Sequence, residues 1–398
     1  MQQRIHLLFL IVAFTILGCE RDALKDPLDA GDGAPARVTN VKVENVPGGA
    51  VISYDVPDDS RLLYVKAVYD IREGVTQEIK SSYYNKTLKV EGFPDTKEYA
   101  VKLYSVSRGE QVSEPVETVI HPLEPPIKNT FRSLKMEETF GGVRLTFDNP
   151  VSANLVMTVI AEDSVGQMKE ALTYYTKSIG GSFAVRGFDP VKRRFGVYIR
   201  DRWNNRSDTL FGEYTPWLEK LLDRTKIKAL NLITDQNAQH CCGVGLSDLW
   251  DGVFNGGNVF HTKPGTGLPQ WFSFDLGVKA KISRFKFYHR RSTGQGASDG
   301  AYNGGDPKVF ELWGSDQPVN DGTWDSWFKI GDFTSLKPSG LPLGTVTEED
   351  FNYAVVNGEE FDFPPDAPPV RYLRWKTNRV WGALDHIYMA ELTFWGDY

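Results

Sequence analysis

The residues best suited to chemistry sit in one run, DQNAQHCCGVGLSDLWDGVFNGG, Asp235 to Gly257. It sets His240, Cys241 and Cys242 side by side. An imidazole and two thiols are ligands for zinc, and paired thiols suit redox exchange. The spacing argues against both. Adjacent cysteines do not easily bridge each other, and three consecutive side chains make a poor tetrahedral set. Packing of the thiols as small apolar groups is the expectation. Gly245-Leu-Ser247-Asp-Leu249 lacks the final glycine of a nucleophile elbow. Gly243-Val-Gly245 has no third glycine at dinucleotide spacing. No His-Glu-x-x-His occurs, and the six histidines do not cluster at ligand spacing. Carboxylate runs such as Glu348-Glu349-Asp350 and Glu359-Glu360 read as solvated loops, because acid–base pairs are set by distance in space. No enzyme is predicted. The informative part of the run is Asp251-Gly252, a turn that offers a hard carboxylate oxygen.

That turn has to be held by the elements around it. Residues Leu230 to Tyr398 carry eight of the ten tryptophans. Their strand candidates, QWFSFDLG, ISRFKFYHR, PKVFELWGS, RYLRWKTN and MAELTFWG, all alternate. Long loops separate them, which predicts a jelly-roll sandwich over residues 230–398. Upstream, short alternating runs divided by Pro47-Gly48-Gly49, Asp58-Asp59 and Gly92 predict another all-β sandwich. That unit repeats. GGAVISYDVP returns as GGVRLTFDNP, and Gly48 and Gly92 recur as Gly141 and Gly187, at offsets of 93 and 95 residues. The copies span residues 36–122 and 123–215, with PLEPP, Pro122 to Pro126, as a stiff extended hinge. YTPWLEKLLDRTK predicts a linker helix within 216–229. Thr215 would cap it, Pro216 suits its first position, and Trp217, Leu218, Leu221 and Leu222 form an apolar stripe.

The chain begins MQQRIHLLFLIVAFTILGCE. Arg4 is a short positive region, and Leu7 to Leu17 is apolar over a signal-peptide length, too short to span a bilayer as a helix. Residues 1–18 are read as a signal peptide and 19–35 as a flexible tether rich in charge, glycine and proline. The formal charge is −7 and no basic stripe occurs, which argues against a nucleic-acid partner.

Three stretches resemble known families. Ile16-Leu17-Gly18-Cys19 resembles the lipobox of bacterial lipoproteins, which implies lipid on Cys19 and a membrane-anchored protein. The two copies resemble fibronectin type III domains, on EYAVKLYSVSRGEQVSEPV. Tyr99 would form a tyrosine corner, and Phe195 leaves an apolar one in the second copy. The third region resembles the coagulation factor V/VIII type C, or discoidin-like, family that includes many carbohydrate-binding modules. It carries LWDGVF, WFSFDLGVKAKISRFKFYHR, KVFELWGSDQPVNDGTWDSW and RYLRWKTN…MAELTFWG in family order. It departs in lacking a Thr-x-Trp soon after Asp251-Gly252 and in its long loop from Arg291 to Asp306. The resemblance implies a structural Ca²⁺ held by Asp251, Asn258 (or Asn255), the Ala390 carbonyl and Glu391. It also implies ligand binding in loops at one end, by Trp381 as a stacking platform with His289, Arg290, Arg291, Tyr302 and Asp306. The whole architecture resembles cell-envelope lipoproteins found beside glycan-uptake systems. The implied partners are a glycan, the outer membrane and its uptake proteins; the alternative is a structural protein-interaction subunit of an outer-membrane complex.

Overall fold

Alternating valines, isoleucines and aromatics pair into antiparallel strands from Thr39 onward. The structure is a computed structural model, and it describes residues 33–236, 243–254, 259–291 and 300–398. Cys19, His240, Cys241, Cys242, Asn255 and Asn258 lie outside the described residues.

The first unit runs β1 (Thr39–Val46), β2 (Gly49–Asp55), β3 (Leu62–Arg72), β4 (Val75–Ser82), β5 (Thr87–Glu91), β6 (Tyr99–Ser107) and β7 (Val116–Ile120). Its two sheets are β1-β2-β5 and β4-β3-β6-β7. Every second residue points inward, so Ala50, Ile52, Leu88 and Val90 of one sheet meet Val65, Ala67, Val101 and Leu103 of the other. A short helix, α1 (Pro126–Ser133), opens the second unit. There follow β8 (Lys135–Thr139), β9 (Gly142–Asp148), β10 (Leu155–Glu162), β11 (Met168–Thr176), β12 (Gly180–Val185), β13 (Arg193–Asp201) and β14 (Leu210–Tyr214). The sheets are β12-β9-β8 and β11-β10-β13-β14, the arrangement of the first unit repeated. The Tyr99 hydroxyl donates to the Asp95 carboxylate at 2.8 Å, closing the corner through a side chain. Phe195 is fully buried edge-on to Phe188 at 5.1 Å, the apolar corner expected there.

The expected hinge at Pro122–Pro126 is not a free spacer. Leu123 pairs with the first unit, its N–H on the Val46 carbonyl and its carbonyl on the Gly48 N–H, and Pro126 already begins α1. Trp203 leaves the second unit to pack against the first unit's core. Asn205 Nδ2 donates to the Gly92 carbonyl at 2.9 Å, and Arg72 donates to Asn205 Oδ1 and the Trp203 carbonyl.

The predicted linker helix does not form. Trp217 bridges to Phe140 beside β8, β15 (Lys220–Leu221) pairs with the chain's last strand, and only a tight turn, Arg224–Lys226, is helical. Its backbone finds better partners outside itself: Trp217 N–H bonds the Thr139 carbonyl and Leu222 N–H the Phe394 carbonyl. Strand edges on both sides outcompete an isolated helix of this length.

The third unit continues with β16 (Lys228–Ala229), β17 (Phe260–His261), β18 (Gln270–Tyr288), β19 (Pro307–Ser315), β20 (Phe328–Thr334), β21 (Glu359–Asp362), β22 (Val370–Val380), β23 (Tyr388–Met389) and β24 (Glu391–Asp397). Its organiser is β18, 19 residues long. The first half pairs with β16 and β22, the second with β24 and β21, and the register breaks between Asp275 and Ala280. One bent strand therefore serves both layers of the jelly roll. Phe272, Phe274, Phe285, Phe287, Phe310, Trp375 and Phe394 fill the space between them. The loops after β18, β20 and β22 gather at one end. The linker joins at the other end of β24, about 20 Å away for a strand of that length.

Candidate functional site

At the free end, four loop segments converge, and buried polar groups fix their geometry. His289 directly follows β18 with no exposure, stacked on Phe287 at 4.5 Å. Its Nδ1 lies 3.0 Å from Asp306 Oδ2 and its Nε2 2.5 Å from Glu359 Oε1. Burial alone would push the imidazole's pKa down, but the two carboxylates outweigh it and hold it at about 9. Burial pushes Asp306 up. Ser335, also buried, donates to Glu359 Oε1 at 2.6 Å and accepts from the Trp381 indole N–H at 2.8 Å. A continuous polar chain thus runs Asp306–His289–Glu359–Ser335–Trp381. Backbone bonds tie the two outer loops together, Trp381 N–H to the Asp306 carbonyl and Gly382 N–H to the Gly304 carbonyl, both at 2.9 Å. Gly382 is required there, since a Cβ would stand 2.4 Å from the Gly304 nitrogen.

The expected ligand contacts therefore divide. His289, Tyr302 and Asp306 are 0, 1 and 0% exposed. This corrects their expected role: they lie beneath the loop surface and shape it without reaching a ligand. Tyr302 packs edge-on to the Trp381 ring at 5.0 Å. Trp381, Arg290 and Arg291 are half-buried and remain at the surface. The Arg290 guanidinium lies 5.2 Å from the Tyr388 ring centre. Lys308 was not expected. Its ammonium sits 3.9 Å over the Trp381 ring, and as a flexible solvated cation it can swing away or bond a hydroxyl. Ser335 and Glu359 were missed as well. Glu359 is 1% exposed although it sits in what reads as a charged run, and a single chain carries no sign that it will face a buried imidazole.

Two of the expected cation ligands, Asp251 and Glu391, come together where β24 begins. Asp251 is exposed, its Oδ1 accepting the Val253 N–H at 2.7 Å. Glu391 is fully buried, and both its oxygens accept the Gly252 N–H at 3.2 Å. Burial first, then Asp251, push Glu391 up to about 7, against the opposing pull of Gly252 and Arg224. Two facing carboxylates form a hard oxygen set of the kind Ca²⁺ takes. Among the described residues no group of three or more acidic, histidine or cysteine side chains is placed to hold a metal. The Ala390 carbonyl and the two asparagines would have to complete the shell.

Three family models match, each described as a domain of unknown function: DUF4959 over residues 35–122, DUF5126 over 123–225 and DUF5000 over 250–396. No curated protein matches. Among solved structures, a CBM32 domain from a family 31 glycoside hydrolase of Clostridium perfringens is 17% identical, covering 44% of this chain and 95% of its own, with a TM-score of 0.31. A two-domain fibronectin type III segment of chicken tenascin is 11% identical, covering 45% of this chain and 99% of its own, with a TM-score of 0.22. A SusE-like protein is 35% identical, covering 69% of this chain and 99% of its own, with a TM-score of 0.44. At that identity over nearly the whole of that relative, the chain belongs to the SusE-like family.

Proposed function

We propose that the chain is a non-catalytic glycan-binding lipoprotein of a Sus-like polysaccharide-uptake assembly. Cys19 anchors it to the outer membrane, and the loop end of the third unit holds the glycan. The observation that carries the site is the fixed Trp381. Its indole N–H is locked by Ser335, its ring stands in a surface loop, and Lys308 and Arg290 supply donors nearby. A rigid aromatic face with mobile hydroxyl-bonding groups is what a pyranose requires. The buried His289, Asp306 and Glu359 resemble acid–base machinery in composition only, because a catalytic group must reach its substrate. Membership of the SusE-like family supports the uptake role. Ca²⁺ would seat on Asp251 and Glu391 and stiffen the start of β24.

A glycan array with wild type and Trp381→Ala tests this reading. We expect wild type to bind a neutral polysaccharide and the variant to lose about tenfold in affinity. Silence of wild type on every glycan would overturn it, and a protein-interaction role would then take its place. Detergent-phase partition of wild type but not of Cys19→Ser checks the anchor.

A further inference from the structure

A second feature of the third unit is unrelated to the loop end. Trp271, Trp313 and Trp324 are partly exposed and stand outside the hydrophobic core. Strand register places Trp271, Lys376 and Glu311 in one row across β18, β22 and β19, and Arg374 opposite Trp313 in the next. All point away from the core, on the layer opposite the one that packs on the second sandwich. Trp324, from the loop before β20, closes over the row. It lies edge-on to Trp271 at 5.4 Å and to Trp313 at 4.8 Å, with the Arg374 guanidinium 4.5 Å from its ring.

Three features separate this from chance exposure. An outer sheet face ordinarily carries polar or β-branched residues, and a cluster of indoles there is a binding signature. The rings are also held in place before any ligand arrives. Trp313 Nε1 donates to Glu311 at 2.8 Å, Trp271 Nε1 to Thr234 at 3.3 Å, and the buried Arg374 is fixed by Ser273 at 2.8 Å. Finally, the cations of this face are paired: Lys376 with Glu311 at 3.1 Å, Lys329 with Asp332 at 2.5 Å and Arg374 with Asp235 at 3.8 Å. Asp321 and Asp325 flank Trp324, so the face offers paired cations and carboxylates beside the rings and no basic surface for a polyanion. Asn378 Nδ2, at 2.7 Å from Glu311, adds an amide beside the rings. Fixed indoles beside paired, hydrogen-bonding side chains and an amide fit a neutral saccharide.

We infer that this face is a second saccharide-binding surface, separate from the Trp381 end. The inference rests on the proposed glycan role and extends it from one site to two. Strands two apart lie about 10 Å from each other, and Trp324 fills the space between Trp271 and Trp313, so the three rings form one continuous aromatic strip that an extended sugar chain can lie along.

The test is ¹⁹F NMR of the full chain labelled with 5-fluorotryptophan. Resonances are assigned by Trp→Phe replacement at 271, 313, 324 and 381. The protein is titrated with cello-, malto-, xylo- and manno-hexaose. We expect one probe to shift the Trp313 and Trp324 resonances in Trp381→Phe as in wild type. Trp324→Ala should then weaken that probe at least about fivefold, with an unchanged unfolding temperature of the rest of the chain. Shifts confined to Trp381 would overturn the second surface and leave the proposed function standing. No shift at any indole with any probe would overturn the second surface, and together with a silent glycan array it would overturn both. The wild-type spectra decide the matter even where a variant folds poorly.

Discussion

At the scale of single residues, the free end of the third unit is governed by one buried imidazole. Its folded pKa, about 9, lies above the ordinary 6.5. The proton on His289 therefore contributes stability in full below pH 6.5, and that contribution is lost as pH rises through about 9. It amounts to roughly 3 kcal/mol at most, part of which buried Asp306 returns. Melting of wild type should fall between pH 6.5 and 9.5, and His289→Gln should lack that component while melting lower throughout. Parallel pH profiles for the two proteins would refute this assignment. Glu391 gives a second residue-scale expectation. Its carboxyl, pushed up to about 7 by burial and Asp251, is costly to ionise without a cation. Millimolar Ca²⁺ should raise the melting temperature at pH 8, and Asp251→Asn or Glu391→Gln should remove that rise. An equal calcium response in both variants would remove these two residues from the seat.

Among the elements, β18 decides most, because its bend shares one strand between two layers. The bend includes Gly277 at φ +77°, where a Cβ would stand 2.7 Å from the Lys226 carbonyl oxygen. A rigid neighbour and a left-handed backbone act together, so Gly277→Ala should cost about 2–3 kcal/mol and lower the melting temperature of this unit by several degrees. Urea melts of the two proteins check it, and equal midpoints would refute it. The alternation of QWFSFDLG and ISRFKFYHR made both halves of β18 legible in the sequence. Their continuity was not, because Gly277 reads as a strand end. The tandem sandwiches were legible because each buries its alternate residues locally, as Ile52 and Leu145 do. The linker was misread for the opposite reason. Its Pro216 and leucine stripe satisfy local helix rules, while the partners that win, Thr139 and Phe394, lie far off in sequence. The site shows the same division. Trp381 stood out by type and loop position, whereas Ser335 and Lys308 acquire their roles only through the loops that fold beside it.

For the whole molecule, the question is whether three sandwiches act as beads or as one arm. The joint between the second and third argues for an arm. Glu219, 7% exposed at its side chain, accepts from Ser283 at 2.6 Å and from Arg284 at 3.1 and 3.2 Å. Arg186 reaches Asp362 at 2.7 Å, Arg144 reaches the same carboxylate at 3.0 Å, and Arg284 also bonds Glu360 at 3.0 Å. Isolated surface pairs contribute little, but a shared and largely buried carboxylate couples these arginines into one network. Removing it should leave Arg186 and Arg284, both only 13% exposed, short of partners, and hydration would draw them apart. Glu219→Ala is therefore expected to lengthen the particle in small-angle X-ray scattering and to split a single thermal transition in two. Each sandwich would keep its own circular-dichroism signal. Affinity for a short soluble oligosaccharide should not change, because Glu219 makes no contact with Trp381, Ser335 or His289, whose own bonds run through Glu359. If the proposed anchored role holds, capture of an insoluble polysaccharide by cells that display the protein should fall, because a hinged arm would no longer hold that end outward. An unchanged scattering curve for Glu219→Ala would show that the joint does not need Glu219 and is held by the Arg144 and Arg186 pairs with Asp362 together with the β15–β24 pairing.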